Sequence, residues 1–144
     1  MQNTKFISSK KIKREWFLID ANGKRVGVLA SKIAEFLIGK NKTEYSSNLN
    51  FADNVVVLNA EKVDLHERKK TSKVYTRYSG YPSGLTTIPY DKMLAKRPQY
   101  IIEHAVFGML PKNKRGNEMK KYLHVFVGET HNLNENIKFV EIKW

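Results

Sequence analysis

The chain has 144 residues, with 26 Lys and Arg against 14 Asp and Glu, a formal net charge of +12 and no cysteine. One domain of this size buries about 68–70% of its unfolded surface without covalent staples. The absence of cysteine excludes a disulfide framework or a thiolate metal site. No apolar run nears the roughly 20 residues of a transmembrane helix and no apolar signal segment opens the chain, so the charge implies a polyanionic partner, nucleic acid ahead of an anionic membrane surface.

Residues 1–14 carry Lys5, Lys10, Lys11, Lys13 and Arg14 with few apolar residues, and are expected to form a basic arm. Lysine rather than arginine, and the short length, argue against a transit peptide. Trp16 to Ile19 has strand length and apolar content, and Asp20-Ala21-Asn22-Gly23 is turn chemistry, with Lys24 and Arg25 at its end. From Gly27 to Ile38 the period becomes helical: Val28 or Leu29, Ile33 and Leu37 share a face. Gly39 suits the left-handed residue that closes such a helix, and Lys40 and Lys42 favour the negative end of its dipole. Gly39-Lys40 is not a phosphate-binding P-loop, because Ala34 stands where a glycine is needed and the pair sits at the wrong end of the helix.

Val55 to Leu58 is continuous and β-branched, as suits a strand buried on both faces; with the first strand and helix it predicts a right-handed βαβ unit. A helical turn is expected at Asn59-Ala60-Glu61. Arg68, Lys69, Lys70 and Lys73 form a second basic cluster, followed by a strand over Val74 to Tyr78 and a turn-rich loop from Gly80 to Gly84. Tyr75, Tyr78 and Tyr81 interleave with Arg77 and the lysines, a pattern that stacks on bases while the charges hold backbone.

Tyr90 to Lys96 reads as a helix ending near Arg97-Pro98. A further helix follows, with a stripe of Ile101, Ala105 and Met109 beside Ile102 and Val106, until Pro111 interrupts it. Its exit delivers Lys112, Asn113, Lys114, Arg115, Lys120 and Lys121 to the surface from an anchored scaffold. His124 to Val127 is a last strand candidate. The stretch from Gly128 carries Asn132, Asn134 and Asn136, then Ile137, Phe139, Val140, Ile142 and Trp144, and is expected to be extended and packed.

Catalytic patterns are lacking. His66, His104, His124 and His131 form no metal-ligand spacing, and Ser31 and Ser83 lack the GxSxG frame. Asp20, Asp53 and Asp64 near strand or turn ends are ordinary turn and cap residues. No enzyme, metal or cofactor is expected.

Several segments together resemble the universal large-subunit ribosomal protein L-thirteen family in its bacterial form. They are Trp16 to Ala21 with Gly23-Lys24; Gly27, Leu29-Ala30-Ser31 and Ile33-Ala34; Leu37 with Gly39-Lys40; and Val55 to Glu61. Ser79 to Pro82 with Gly84, and above all Ala105-Val106 and Gly108 to Asn113, complete the match in order across about residues 15 to 130. The resemblance implies an α/β fold, three-layer α/β/α around a small, mostly parallel sheet. It divides the chain into residues 1–14 as arm, 15–130 as rRNA-binding domain and 131–144 as tail.

The implied function is that of a structural constituent of the large ribosomal subunit, active in early subunit assembly, in the cytoplasm or in an organellar ribosome. Large-subunit ribosomal RNA and neighbouring large-subunit ribosomal proteins are the implied partners, with no membrane and no small-molecule substrate. RNA-facing positions carried over are Lys24, Lys40, Lys42, Lys69, Lys70, Lys73, Arg77, Tyr78, Tyr81, Lys112, Asn113 and Lys114. Val28 departs from the family's usual arginine. The rival readings are a free regulatory RNA-binding protein and an RNA-processing enzyme; the enzyme would need two or more of His66, His104, His124, Asp20 and Asp53 in one cleft.

Overall fold

The computed structural model describes residues 12–134 and 137–142. The expected basic arm lies outside these residues except for its last three, as do Asn136 and Trp144 of the tail. Strand β1 (Trp16–Asp20) is followed by helix α1 (Val26–Ile38) and strand β2 (Asn54–Leu58), the βαβ unit the sequence predicts. Helix α1 buries Val26, Leu29, Ala30, Ile33, Ala34 and Leu37, while Val28 is exposed, so the stripe runs through Leu29 rather than Val28 and begins at Val26. Gly39 ends it at φ 80°, and a Cβ there would lie 2.6 Å from the Cβ of Phe51. Glycine is required on both counts.

A single 3-10 turn (Ala60–Lys62) leads to α2 (Glu67–Ser72), then to the antiparallel hairpin β3 (Val74–Tyr78) and β4 (Leu85–Pro89). Helices α3 (Tyr90–Lys96), α4 (Pro98–Met109) and α5 (Lys114–Met119) precede β5 (Leu123–Val125), and β6 (Phe139–Glu141) comes from the stretch expected to be extended.

The fold is α/β, with a four-stranded parallel sheet in the order β5-β2-β1-β6 and the hairpin beside it. The steps β1 to β2 and β2 to β5 run the same way across the sheet, so right-handed crossovers put their helices on one face. There α1 and α4 pack together over Ile19, Val55 and Val57, with Ile101, Ile102 and Val106 at the centre. The return from β5 to β6 steps the other way, and His131 from that link packs its ring against Phe139 (4.8 Å between centroids) and Phe126 (6.3 Å). Phe139 lies opposite Trp16 in the register and meets its ring edge-on, so this contact lies on the far face of the sheet.

One expectation is corrected. Met109 is exposed, and the buried ridge of α4 runs through Ile102 and Val106 to Leu110 just past its end. Each four-residue step advances 40° beyond a full turn, so an Ile101–Ala105–Met109 ladder walks off the core within two steps. His66 is exposed just before α2, and its Nδ1 accepts the Arg68 N–H (3.3 Å) and caps that helix.

Candidate nucleic-acid interface

Because the four strands of the main sheet are parallel, their starts share one edge and their ends the other. Helices α1 and α4 return in the opposite sense, so their C-termini come back to the starting edge. The chain segments before β1, after α1, and between α4 and β5 therefore meet there. They bring Lys13 and Arg14, Lys40 and Lys42, and Lys112, Lys114, Arg115, Lys120 and Lys121 to one end of the molecule.

Side-chain contacts knit this edge together. Lys42 Nζ donates to the carbonyl oxygens of Lys13 (2.9 Å) and Phe51 (3.2 Å) and to Asp53 Oδ1 (2.5 Å). Asp53 is fully buried, and its Oδ1 also accepts the Glu15 N–H (3.0 Å). Arg115 Nη2 donates to the Asn48 carbonyl oxygen (2.7 Å), fastening α5 to the loop after α1. Arg14 lies over the Tyr122 ring (4.7 Å), and Lys120 Nζ donates to Asn117 Oδ1 (3.1 Å) while standing over Phe107 (5.1 Å).

Asn113 caps α5, its Oδ1 accepting the Gly116 N–H at 2.8 Å. Buried Gly116 is held so close to Pro111 that a Cβ would run into the Pro111 carbonyl. Against these engaged groups, Lys40, Lys112, Lys114 and Lys121 are exposed and, among the described residues, hold no side-chain hydrogen bond, ion pair or ring contact. Four cations thus project from a braced edge.

The opposite edge carries a second basic set. Lys24 and Arg25 leave β1; the Lys24 carbonyl oxygen accepts the Asp64 N–H (2.9 Å), and Arg25 forms a parallel bridge with Asp64. Lys70 pairs with Asp64 (2.8 Å), and Lys62 with Glu129 (3.2 Å). The Lys70 hydrogen bond holds the Asp64 carboxyl below its ordinary range, and the same bond raises Lys70. Asp20 is also lowered, first by the Asn59 side-chain amide (2.8 Å), then by the Asn22 N–H (3.0 Å). Lys69 is exposed and its ammonium is unengaged among the described residues. The central strands β1 and β2 are five residues long, so about 16 Å separates the two edges. The expected cations thus divide into two sets, one at each edge.

The hairpin separates its tyrosines. Tyr75 is buried against Tyr100 (5.8 Å between centroids) and His104 (5.5 Å), with Lys73 over its outer ring face (5.5 Å). Burial raises its phenol, as it does that of Tyr90. Tyr78 and Tyr81 are exposed, as is Arg77.

The candidate catalytic residues do not converge. Asp53 lies at the strand-starting edge, Asp20 at the strand-ending edge, His66 caps α2, His104 stacks on Tyr100, and His124 stacks on Trp16 (5.6 Å, 17°). No hydrogen bond, ion pair or ring contact joins any two of them among the described residues. Among those residues no three side chains could hold a metal ion, and no helix is long and apolar enough to cross a membrane.

Sequence reasoning missed the inward-facing role of Lys42. The only signal for it was Asp53 eleven residues away, across a loop whose path no periodicity predicts.

Fold and site define an α/β protein that holds two sets of cations at opposite ends of one rigid parallel sheet. The chain belongs to the ribosomal protein L13 family, whose model matches residues 14–132. The "Large ribosomal subunit protein uL13" of Thermus thermophilus is 48% identical over 122 residues, covering 85% of this chain and 87% of that protein. That of Spiroplasma citri is 43% identical over 131 residues (91% and 90%), and that of Chlamydia pneumoniae 40% identical over 135 (94% and 91%). The bacterial-type family resemblance seen in the sequence is thereby established.

Proposed function

We propose that this chain is a structural, non-catalytic constituent of the large ribosomal subunit, working in the cytoplasm. It binds large-subunit ribosomal RNA through its two basic edges and meets neighbouring ribosomal proteins during early subunit assembly. Family membership across residues 14–132 is the observation that carries this reading. The placement of the cations supports it. Lys40, Lys112, Lys114 and Lys121 form the phosphate-contacting set at one edge, with Arg115, Lys120 and Asn113 bracing the segment that presents them. Lys24, Lys69, Lys70 and Lys73 form the set at the other edge. Two sets about 16 Å apart are suited to two separate RNA segments, which the core holds in fixed register. Lys42 acts from beneath, holding the loop that carries Lys40.

Sedimentation of a cell extract at low salt tests the reading. Stoichiometric co-migration with the large subunit is expected; a mainly free pool contradicts it.

A further inference from the structure

The β3–β4 hairpin is unlike the rest of the surface. From Val74 to Pro89, Arg77 is the only charged residue, in a chain that is 28% charged. The register sets Val74 opposite Pro89, Thr76 opposite Thr87 and Tyr78 opposite Leu85. Residues at alternate positions share a face, so these six side chains line one side of the ribbon, and Arg77 lies on the other with Tyr75. All six are exposed: Val74 48%, Tyr78 64%, Leu85 61%, with both threonines and Pro89 also open.

Tyr81 at the tip is 75% exposed. The tip is preorganised: the Ser79 N–H donates to the Gly84 carbonyl oxygen (3.1 Å), and the Gly84 N–H to that of Tyr81 (2.9 Å).

An RNA-binding surface is strongly positive, because phosphate contacts dominate it. The core of a protein–protein interface is instead depleted in charge and anchored by tyrosines, preferably on rigid supports. This face has the second character inside a molecule of net charge +12. We propose that the outer face of the hairpin, with Tyr78, Tyr81 and Leu85 as anchors, docks an uncharged, apolar surface of another protein of the large subunit rather than RNA. The inference rests on the large-subunit reading above and assigns a distinct face of the molecule to a protein neighbour.

The test places a photocrosslinker in the full-length chain in cells, as Tyr81→p-benzoylphenylalanine, Leu85→p-benzoylphenylalanine and, for comparison, Lys112→p-benzoylphenylalanine. After irradiation, large subunits are isolated and the adducts treated with nuclease or with protease. The hairpin probes are expected to give one discrete adduct that survives nuclease and is lost with protease, while the Lys112 probe gives nuclease-sensitive adducts. Nuclease-sensitive adducts from the hairpin probes, or no protein adduct in a chain that sediments with the large subunit, overturn the docking proposal alone. Absence of the chain from the large-subunit fraction overturns the functional reading and the docking proposal with it. Tyr78→Ser with Leu85→Ser, both at exposed positions, should abolish the Tyr81 protein adduct while leaving the Lys112 adducts unchanged; persistence of the Tyr81 adduct counts against the assigned face.

Discussion

Lys42 and Asp53 form an ion pair at 2.5 Å in which the carboxylate is fully buried and the lysine side chain is partly buried. The same ammonium holds the carbonyl oxygens of Lys13 and Phe51, so one side chain joins the approach to β1, the loop after α1 and the approach to β2. Removing one partner of such a pair strands a charge in the interior. Lys42→Met is expected to cost about 3 kcal/mol, the lower end of the usual range because the ammonium keeps some solvent contact. A denaturant titration checks this. The salt dependence of RNA binding by the folded variant should match the parent, unlike that of a variant at Lys112.

Gly116 fixes how α5 leaves α4. Its Cβ-free surface lets the helix lie against the Pro111 carbonyl while its N–H is capped by Asn113. Gly116→Ala forces backbone apart rather than a flexible side chain, and is expected to destabilise the protein by about 1–3 kcal/mol. It should also weaken RNA binding by displacing Lys114 and Lys121. Thermal unfolding and a binding isotherm together check both effects.

His124 stacks on Trp16 within the sheet, and burial pulls its imidazole below the ordinary value of 6.5. The unfolded chain therefore takes up this proton near pH 6.5, and the folded chain only at lower pH. The stabilising contribution of the neutral ring is complete above 6.5 and is lost as pH falls from there through the folded value. The His124 ring resonances should titrate with a midpoint below 6.5 by NMR. His124→Phe, which keeps the stack, should flatten the stability profile in that window.

The parts of the fold legible in the sequence were those where burial imposes a period. β1, α1, the Gly39 cap and β2 follow from apolar spacing and one obligatory left-handed residue. The short polar helices gave no such signal. α2 is Glu67–Ser72 without one apolar residue, and α5 carries a glycine in mid-helix; a cap made by a histidine or asparagine decides both. β4 was hidden because its Leu85, Thr87 and Pro89 face solvent, leaving Ile88 alone to mark the packed side. The basic residues of the site were visible as a census. Their division between two edges was not, since it depends on four strands being parallel, and β6 lies far along the chain from its partner β1. Which lysines are engaged also depends on tertiary partners such as Asp53 and Asp64, beyond the reach of local pattern.

Unpaired lysines on the braced edge are expected to neutralise RNA phosphates. The most direct measurement is the salt dependence of affinity of the full chain for purified large-subunit ribosomal RNA, compared with a variant carrying Lys112→Gln, Lys114→Gln and Lys121→Gln. With about six to ten phosphates contacted, affinity of the parent should fall on the order of a thousand-fold or more between about 50 and 200 mM salt. The variant, with unchanged unfolding behaviour, should lose about 2–3 from the slope of log affinity against log salt, near 0.7–0.9 per lysine. A shallow parent slope, or a folded variant whose slope equals that of the parent, would contradict the account.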